Sequence, residues 1–444
     1  MNREIMQFKK KVSKYQYLIC LSVLFATHTA EATNLDDAIS ASLSHESQLE
    51  MSRLGVNQST AILDQATQRD GLRVNLVGQL DYEKIETPTN VMFPTEGNRR
   101  GRSLQLQLDY PVYTSGRHRL GIEVAKKQLS ARTEALSDQR SETILNTVMV
   151  YTDVLKKKAI LDLRKKTMSN LQRSLYESQR RFDVGMITRA DLAQVLAQVA
   201  QGQADITQAQ SNLTISEAQF YQITGLKPDD LVVINQLPSI SNNVDEILLK
   251  AKTHPALIQA KYERQAAEKQ YALTKRELWP TVMLTSKLGA QHEATNIGSE
   301  SNNYMVGIQL NVPLYDDGLN RANINKAQVD IQLADQKIKT LELDLNQRIR
   351  TIYAQLQTIR QNKDALQNAI DAASIAFVYT RKEFELGTKT TFDLLNTEQK
   401  LLDVQTQKTV NQQDEVVFVY QLLDQMGSLN DLVSISPHAQ VKMQ

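Results

Sequence analysis

Apolar and polar residues alternate strictly in short stretches of both halves of the chain. In the first half Leu104, Leu106 and Leu108 alternate with glutamine and aspartate, and in the second half Val306 and Ile308 alternate with glycine and glutamine. A period of two is typical of a β-strand with one apolar and one polar face. Two more stretches show the alternation: Val74, Leu76, Leu80 and Tyr82, and, more weakly, 281–291. We therefore predict four strands.

After the predicted strands that contain Leu108 and Ile308, apolar residues no longer recur at every second position but at every third or fourth. Pro111 and Pro313 stand at the predicted strand ends, because proline cannot donate to a β-ladder. The positions with the new spacing include Ile144, Val148, Tyr151 and Leu155 in the first half and Leu341, Leu345, Ile349, Ile352, Leu356 and Ile359 in the second. This spacing is typical of coiled-coil helices. It predicts two very long helices, 117–182 and 318–384, each about 100 Å long.

Shorter helices are predicted to return from the far end of each long helix. They span residues 190–223 and 392–426, only about half of the outward length. Two other helical stretches, 35–69 and 244–276, have nearly the length that is missing. We expect 244–276 to continue 190–223 end to end, and 35–69 to continue 392–426. The result would be a rod about 100 Å long with all strands at one end.

The chain also repeats itself. The segment RFDVGMITRADL, which begins at Arg181, recurs 202 residues later as EFELGTKTTFDL, and LQLDYPVYTSGRHR recurs at the same offset as IQLNVPLYDDGLNR. A long fixed offset indicates a duplicated unit. We predict a first repeat at 33–238 and a second at 239–432, each with a helix, two strands and a helical hairpin, followed by a C-terminal tail at 433–444.

Residues 1–32 are predicted to be a cleaved signal peptide. A lysine-rich start precedes the apolar run 17–26, and AEA at 30–32 provides a small-x-small cleavage site. The apolar run has about half of the roughly 20 residues that a membrane-spanning helix needs. Cys20 is the only cysteine. The mature chain would therefore have no thiol for a disulfide, a metal site or a nucleophile.

The alternating strands favour a membrane barrel. Each is about ten residues long, enough to cross a bilayer when tilted, and its two faces suit lipid outside and water inside. Four strands cannot close alone, whereas two copies would give a filled eight-stranded barrel and three copies a twelve-stranded barrel with a lumen. A soluble antiparallel sheet is the alternative. The aromatic residues expected at the membrane interface, or else packed at the sheet edge, are Tyr110, Tyr113, Trp279 and Tyr315.

The duplication, the repeated turns, the strand exits YPVY and VPLY and the segment ITG at 223–225 together resemble the TolC-like outer-membrane efflux proteins. The resemblance covers residues 33–432. It implies a mainly α fold with a membrane β-barrel: a homotrimer with twelve strands in the outer membrane and a periplasmic tunnel of antiparallel coiled-coil helices. It implies export of drugs, small molecules or proteins, with a periplasmic adaptor and an inner-membrane transporter, ABC or proton-driven, as partners.

Both copies of the repeated turn are predicted to be the tips of helical hairpins. Each has a glycine that can end the long helix, a threonine that can start the return helix and an aspartate three residues later. They are Gly185, Thr188 and Asp191 in the first copy and Gly387, Thr390 and Asp393 in the second. A capping box accounts for the aspartates without any functional role. The resemblance instead implies that Asp393 belongs to a ring of carboxylates that constricts the tunnel entrance.

Two departures from the family pattern occur at this tip. Relatives carry a second acid three residues after the one matched by Asp393, but this chain has Asn396, so we expect weaker block by cations. Relatives also close the tip through a basic residue and a tyrosine that contact an acid of the other hairpin. Lys389 and Asp191 match that pattern, whereas Phe384 replaces the tyrosine. We expect the latch to rest on Lys389 and Asp191 alone, at about 0.2–1 kcal/mol, and the gate to open more readily.

No catalytic site, metal site or cofactor is predicted. The histidines are scattered outside any metal motif, and no phosphate-binding glycine loop occurs. The 51 basic and 50 acidic residues nearly balance, which argues against a nucleic-acid binder. The remaining alternative is a periplasmic adaptor or a secreted coiled-coil scaffold. An adaptor, however, would have one hairpin flanked by β-rich domains instead of two hairpins in tandem.

Overall fold

The computed structural model describes residues 33–85, 97–293 and 299–434. The predicted signal peptide and residues 435–444 of the predicted tail lie outside the described residues. Along the chain the helices are α1 (Leu35–His45), α2 (Ser47–Gln68), α3 (Arg117–Asp183), α4 (Arg189–Thr224), α5 (Val244–Lys250), α6 (Pro255–Thr274), α7 (Leu319–Glu385), α8 (Thr391–Gln425) and α9 (Leu429–Ser434). The strands are β1 (Arg73–Ile85), β2 (Gly97–Tyr113), β3 (Thr281–His292) and β4 (Glu300–Asn311).

The two long helices and their shorter return helices agree with the predicted pattern. Helices α3 and α7 have 67 residues each, and α4 and α8 have 36 and 35. At 1.5 Å per residue the long helices reach about 100 Å. Since their lengths follow from the apolar spacing and the lack of proline, sequence alone sufficed to predict them within a few residues.

The four strands form one antiparallel sheet in the order β1-β2-β3-β4. Leu106 of β2 pairs with Leu76 of β1 and with Leu288 of β3, so the leucines of neighbouring strands share a face. This apolar face is exposed in the single chain; Leu80, for example, is 82% exposed. In the described part of one chain β1 and β4 are open edges, because each pairs with only one other strand there.

The opposite face of the sheet is polar and internally hydrogen-bonded. The Thr285 hydroxyl on β3 donates to Asp109 Oδ1 on β2 at 2.8 Å, and the Gln107 amide donates to Asp109 Oδ2 at 2.8 Å. Polar side chains that satisfy one another in this way suit a water-filled interior and not lipid. The sheet thus has the two-sidedness that the alternation predicts.

The two stretches expected to be continuous helices are each broken, and this part of the prediction is wrong. Helix α1 ends at His45 and α2 begins after Glu46. The backbone of Glu46 is extended, with a ψ of 116°, and therefore interrupts the helix. In the second half the break lies at His254, which precedes Pro255. Proline disfavours helical angles in the residue before it and is readily accommodated at the first position of a new helix.

The end-to-end partners of the return helices are also the reverse of those predicted. Helix α4 ends at Gly225, and a Cβ on that glycine would come within 3.1 Å of the ring of His45, the last residue of α1. Helix α8 ends near Gly427, where a Cβ would come within 3.1 Å of the His254 Cα. Each return helix is therefore continued by a helix of its own half. Length could not distinguish the two pairings because the candidate helices are nearly equal in length.

Each return helix and the helix that continues it form one column, and side-by-side packing of these columns with the long helices builds the helical body. The α2/α4 column and the α6/α8 column lie on either side of α3, and α7 packs on the far side of the α6/α8 column. The largest buried cluster lies where the columns change helix, and it includes Ile144, Val148, Ile349, Leu356 and Val419. Among the described residues of one chain, nothing packs on the outer edges, which are formed by α2 with α4 and by α7.

A buried tyrosine ties the start of the described chain to the segment between the two halves. The Tyr151 hydroxyl is shared between the carbonyl oxygens of Thr33 at 2.9 Å and Val232 at 2.7 Å. Thr33 also forms a parallel bridge with Leu231. Burial raises the pKa of Tyr151 to about 12, so the hydroxyl keeps its proton.

We expect Tyr151→Phe to lower the free energy of unfolding by about 1 kcal/mol, because the Val232 carbonyl loses its part-buried hydrogen bond from the hydroxyl, whereas the Thr33 carbonyl still accepts from the Val232 N–H at 3.2 Å. The substitution keeps the ring that packs against Phe220 at a centroid distance of 6.2 Å. Thermal unfolding of the detergent-purified protein measures the change. Tyr221→Phe is the matched control, since the Tyr221 side chain is exposed. Equal stability of the two variants would contradict the role of the Tyr151 hydroxyl.

Candidate functional site: the paired hairpin tips

The two hairpin tips have the same backbone geometry. Gly185 and Gly387 each have a φ of 79°, in the left-handed region that favours glycine. The Met186 N–H donates to the Arg181 carbonyl at 2.8 Å, and the Thr388 N–H donates to the Glu383 carbonyl at 2.9 Å. These bonds satisfy carbonyls at the helix ends, as in other glycine-terminated helices.

A complete capping box opens each return helix. The Thr188 N–H donates to Asp191 Oδ2 at 2.9 Å, and the Asp191 N–H donates to Thr188 Oγ1 at 3.2 Å. Thr390 and Asp393 repeat the arrangement at 3.0 and 3.2 Å. Hydrogen bonds from the threonines hold the pKa of both aspartates below the usual value. Both carboxylates are therefore charged at neutral pH while they cap their helices.

The other residues expected at the gate lie around these caps. Lys389 and Asn396 are exposed, and the charge of Lys389 helps to lower the pKa of Asp393. No ion pair joins Lys389 to Asp191 within the described part of one chain; Asp191 is held by Thr188 instead. A latch between Lys389 and Asp191 stays a prediction, and it would have to join neighbouring chains or form after a movement of the tips.

A contact that the sequence did not predict joins the two tips within one chain. The Arg181 guanidinium lies over the Phe384 ring at 4.4 Å from its centroid and donates to the Glu385 carbonyl at 2.7 Å. Phe384 is only 1% exposed. A guanidinium stacked on an aromatic face and bonded to a helix-terminal carbonyl is a favourable arrangement for a cation. Among the described residues of one chain, this arginine contact joins the tips, whereas the expected Lys389–Asp191 pair does not.

The sequence does contain a signal for this contact. Arg181 stands in the first repeated turn at the position that Glu383 occupies in the second, with phenylalanine following in both. A charge reversal inside an otherwise repeated motif indicates that the two copies are not used in the same way. Without the packing of α3 against the second hairpin, however, nothing in the sequence indicates that Arg181 would cover Phe384 at the end of α7.

The aromatic residues expected at the membrane interface lie together at the helical end of the sheet. Tyr110 and Tyr113 are at the end of β2, Trp279 precedes β3 and Tyr315 follows β4. All of them are exposed, and Tyr315 is 82% exposed. Its hydroxyl donates to Asp317 Oδ1 at 2.9 Å, while the Trp279 ring lies under the Arg276 guanidinium at 5.4 Å. Rings with an apolar body and a polar partner suit a lipid–water boundary.

None of the described helices combines the length and the apolar character that a bilayer-spanning helix requires. Within the same residues, no cluster of histidine, cysteine and acidic side chains is arranged to hold a metal ion.

Comparison with known proteins identifies relatives along nearly the whole chain. The model of the outer membrane efflux protein family matches residues 38–226 and 249–424. The chain is 25% identical to the outer membrane efflux protein BepC of Brucella suis, over 90% of this chain and 86% of that protein. It is 22% identical to the outer membrane protein TolC of Escherichia coli K12, over 86% of this chain and 81% of TolC.

The fold is found among solved structures as well. The CmeC outer membrane channel of Campylobacter jejuni superimposes with a TM-score of 0.80, over 89% of this chain and 85% of that one, at 16% sequence identity. The four-stranded sheet and the helical body therefore recur together in a solved channel.

Proposed function

Because the chain belongs to the outer membrane efflux protein family, we propose that three copies form one channel for export across the outer membrane. The protein is an outer-membrane efflux component with its helical body in the periplasm. The alternative of a periplasmic adaptor or secreted scaffold is wrong, because the family match extends over both halves of the chain. The observation that carries the proposal of a trimer is the open, two-faced sheet.

The sheet supports three copies for a physical reason. Its apolar face carries side chains such as Ile308, 75% exposed, which would be unfavourable in water. Its β1 and β4 edges expose unpaired backbone groups, which lipid does not tolerate. Joining the β4 edge of one copy to the β1 edge of the next removes every open edge. Three copies give twelve strands and a lumen, whereas two give a barrel filled by its own side chains.

The helical body has matching free edges. Exposed apolar residues lie on the α2/α4 edge and on the α7 edge of the same chain. They include Met51, Leu54, Ile62, Leu196 and Ile215 on the first edge and Leu333, Leu343 and Ile375 on the second. Two different apolar edges on one molecule suit a head-to-tail interface. Such an interface closes into a ring of three when each copy is rotated by about one third of a turn from the previous one.

The mass and the conductance of the detergent-extracted protein test this proposal. We expect extraction from the membrane fraction to require detergent, the particle to have the mass of three chains, and the protein to conduct ions in a planar bilayer. A single-chain particle that is soluble without detergent would contradict the proposal.

Partners in the periplasm and the inner membrane follow from membership in a family of efflux components. We infer a periplasmic adaptor and an inner-membrane transporter of the ABC or proton-driven class. The sequence contains no phosphate-binding glycine loop, so the energy for transport would come from that transporter. The protein's own contribution would be a passive conduit and its gate.

The proposed latch between Lys389 and Asp191 can be separated from helix capping. Asp191→Ala removes the cap and the latch together, whereas Thr188→Ala removes the threonine side of the same cap and leaves the carboxylate. We expect Asp191→Ala to raise the open probability in planar bilayers about 1.4- to 5-fold above Thr188→Ala, because an exposed ion pair contributes about 0.2–1 kcal/mol. Equal open probabilities would leave capping as the only role of Asp191.

A further inference from the structure

A glutamate is buried between the two hairpins, two turns from the second tip. Glu398 lies on α8 and is 4% exposed. Neither of its carboxylate oxygens has a hydrogen bond of good geometry within the described residues, although the Asn170 amide on α3 is near enough to favour the charged form. A buried carboxyl without firm partners is unfavourable when ionised.

The surrounding elements offer this carboxyl little positive charge. Arg381 on α7 attracts it but is shared with two other acids, at 4.0 Å from Glu177 of α3 and 3.8 Å from Glu385 of α7. Helix α4 contributes the buried Val195 to the adjoining apolar cluster. One arginine therefore faces three carboxyl groups, Glu398 among them.

The turns of α3 and α7 that hold Glu177 and Arg381 contain other unsatisfied polar atoms. Glu177 Oε2, Arg381 Nη2 and the Ser178 hydroxyl are buried without hydrogen-bond partners among the described residues. Ser178 is fully buried on α3. A polar layer that is only partly satisfied is a weak point in the packing of two hairpins, because separation would let water satisfy each group.

We propose that Glu398 is a proton-binding site that controls how firmly the second hairpin packs against the first, so that loss of its proton loosens the entrance. The proposal rests on the proposed channel for its consequence in transport, but not for the proton site itself. When Glu398 is neutral, the carboxyl can remain buried. When it is ionised, the single shared Arg381 cannot neutralise it, and separation of the hairpins brings it into water.

The direction of the pH effect follows from the same chemistry. Burial raises the pKa of Glu398 from its ordinary value of 4.5 to about 7, while Asn170 and Arg381 lower it in part. A raised carboxyl pKa stabilises the packed state below the ordinary pKa and loses that contribution as pH rises through about 7. Mildly acidic conditions therefore favour packed hairpins, and mildly alkaline conditions favour separation.

Thiol modification can detect the separation without relying on transport. Ser178→Cys places a reporter at a fully buried position of α3, next to Glu177, and the only native cysteine is Cys20. The rate of maleimide labelling is measured with Glu398 present and with Glu398→Gln, and the two rates are divided at each pH. We expect this ratio to rise about tenfold or more between pH 5.5 and pH 8. A negative charge on Glu398 without separation of the hairpins would disfavour the thiolate and slow labelling, so it would lower the ratio instead of raising it.

A second variant keeps the test decisive if Glu398→Gln fails to assemble. Glu177→Gln leaves Arg381 freer to stabilise ionised Glu398, so the labelling transition should move to lower pH. A ratio that does not change with pH, or a transition that Glu177→Gln leaves in place, would overturn the proposal. Absence of ion conductance together with pH-dependent labelling would instead contradict the proposed channel and leave the proton site standing.

Discussion

Arg181→Ala is expected to raise the open probability of the channel in planar bilayers about tenfold or more. The substitution removes both the stacking of the guanidinium on Phe384 at 4.4 Å and the hydrogen bond to the Glu385 carbonyl at 2.7 Å. The Arg181 hydrogen bond is exposed to solvent, so the cation–π contact contributes about 0.5–1 kcal/mol and the hydrogen bond from the charged donor about 1.5–3 kcal/mol. Loss of about 2 kcal/mol changes an equilibrium by more than tenfold.

Arg180→Ala is the matched control for this prediction. Arg180 is the preceding residue on α3, and its guanidinium lies over Tyr176 of the same helix at 5.7 Å. Arg180→Ala removes one positive charge, as Arg181→Ala does, but it breaks no contact between the hairpins. Arg181→Lys should fall in between, since lysine keeps the charge but lacks the planar group that stacks. Equal open probabilities for Arg180→Ala and Arg181→Ala would contradict the importance of the Phe384 contact.

Asn396→Asp is expected to lower the concentration of a trivalent cation such as La³⁺ that blocks the conductance by about tenfold or more. In a trimer the change would add three carboxylates close to those of Asp393 at the entrance. Electrostatic attraction to a trivalent cation grows with each added charge, even in water. Asp393→Asn should weaken the block of the unmodified channel for the same reason.

Asn362→Asp controls for the change in total charge. Asn362 is exposed on the middle of α7, far from the tip, so the added charge should leave the blocking concentration nearly unchanged. Because the pKa of Asp393 is lowered from 3.8, the carboxylate stays charged as pH falls from neutral to about 5, and block should persist over that range. An equal effect of Asn362→Asp and Asn396→Asp would contradict a constriction at Asp393.

Local pattern accounts for much of what could be predicted about this fold. The period of two at Leu104, Leu106 and Leu108 specifies a strand whose leucines share one face, whatever that strand pairs with. The hairpin tips were predictable for the same reason, since Gly185 and Thr188 act on backbone groups within a few residues of themselves. Interactions of this short range are encoded directly in the order of the residues.

Pairings between distant segments were predicted less well. Equal lengths allowed two ways to join the return helices end to end, and the contact of Gly225 with His45 selects the one that was not expected. The predicted helix 244–276 is interrupted at His254, where the following proline favours the start of a new helix. Spacing alone did not indicate how α6 would sit on the end of α8.

By itself, the sequence determined the strands, the long helices, the duplication and the capped turns, because each depends on residues near one another in the chain. Only the tertiary structure decided that Arg181 covers Phe384 and that Glu398 is buried beside an arginine already shared by other acids. The physical reason is burial: the stacking of a cation and the proton affinity of a carboxyl depend on which surfaces meet. Here those surfaces come from helices roughly 200 residues apart, which no local pattern brings together.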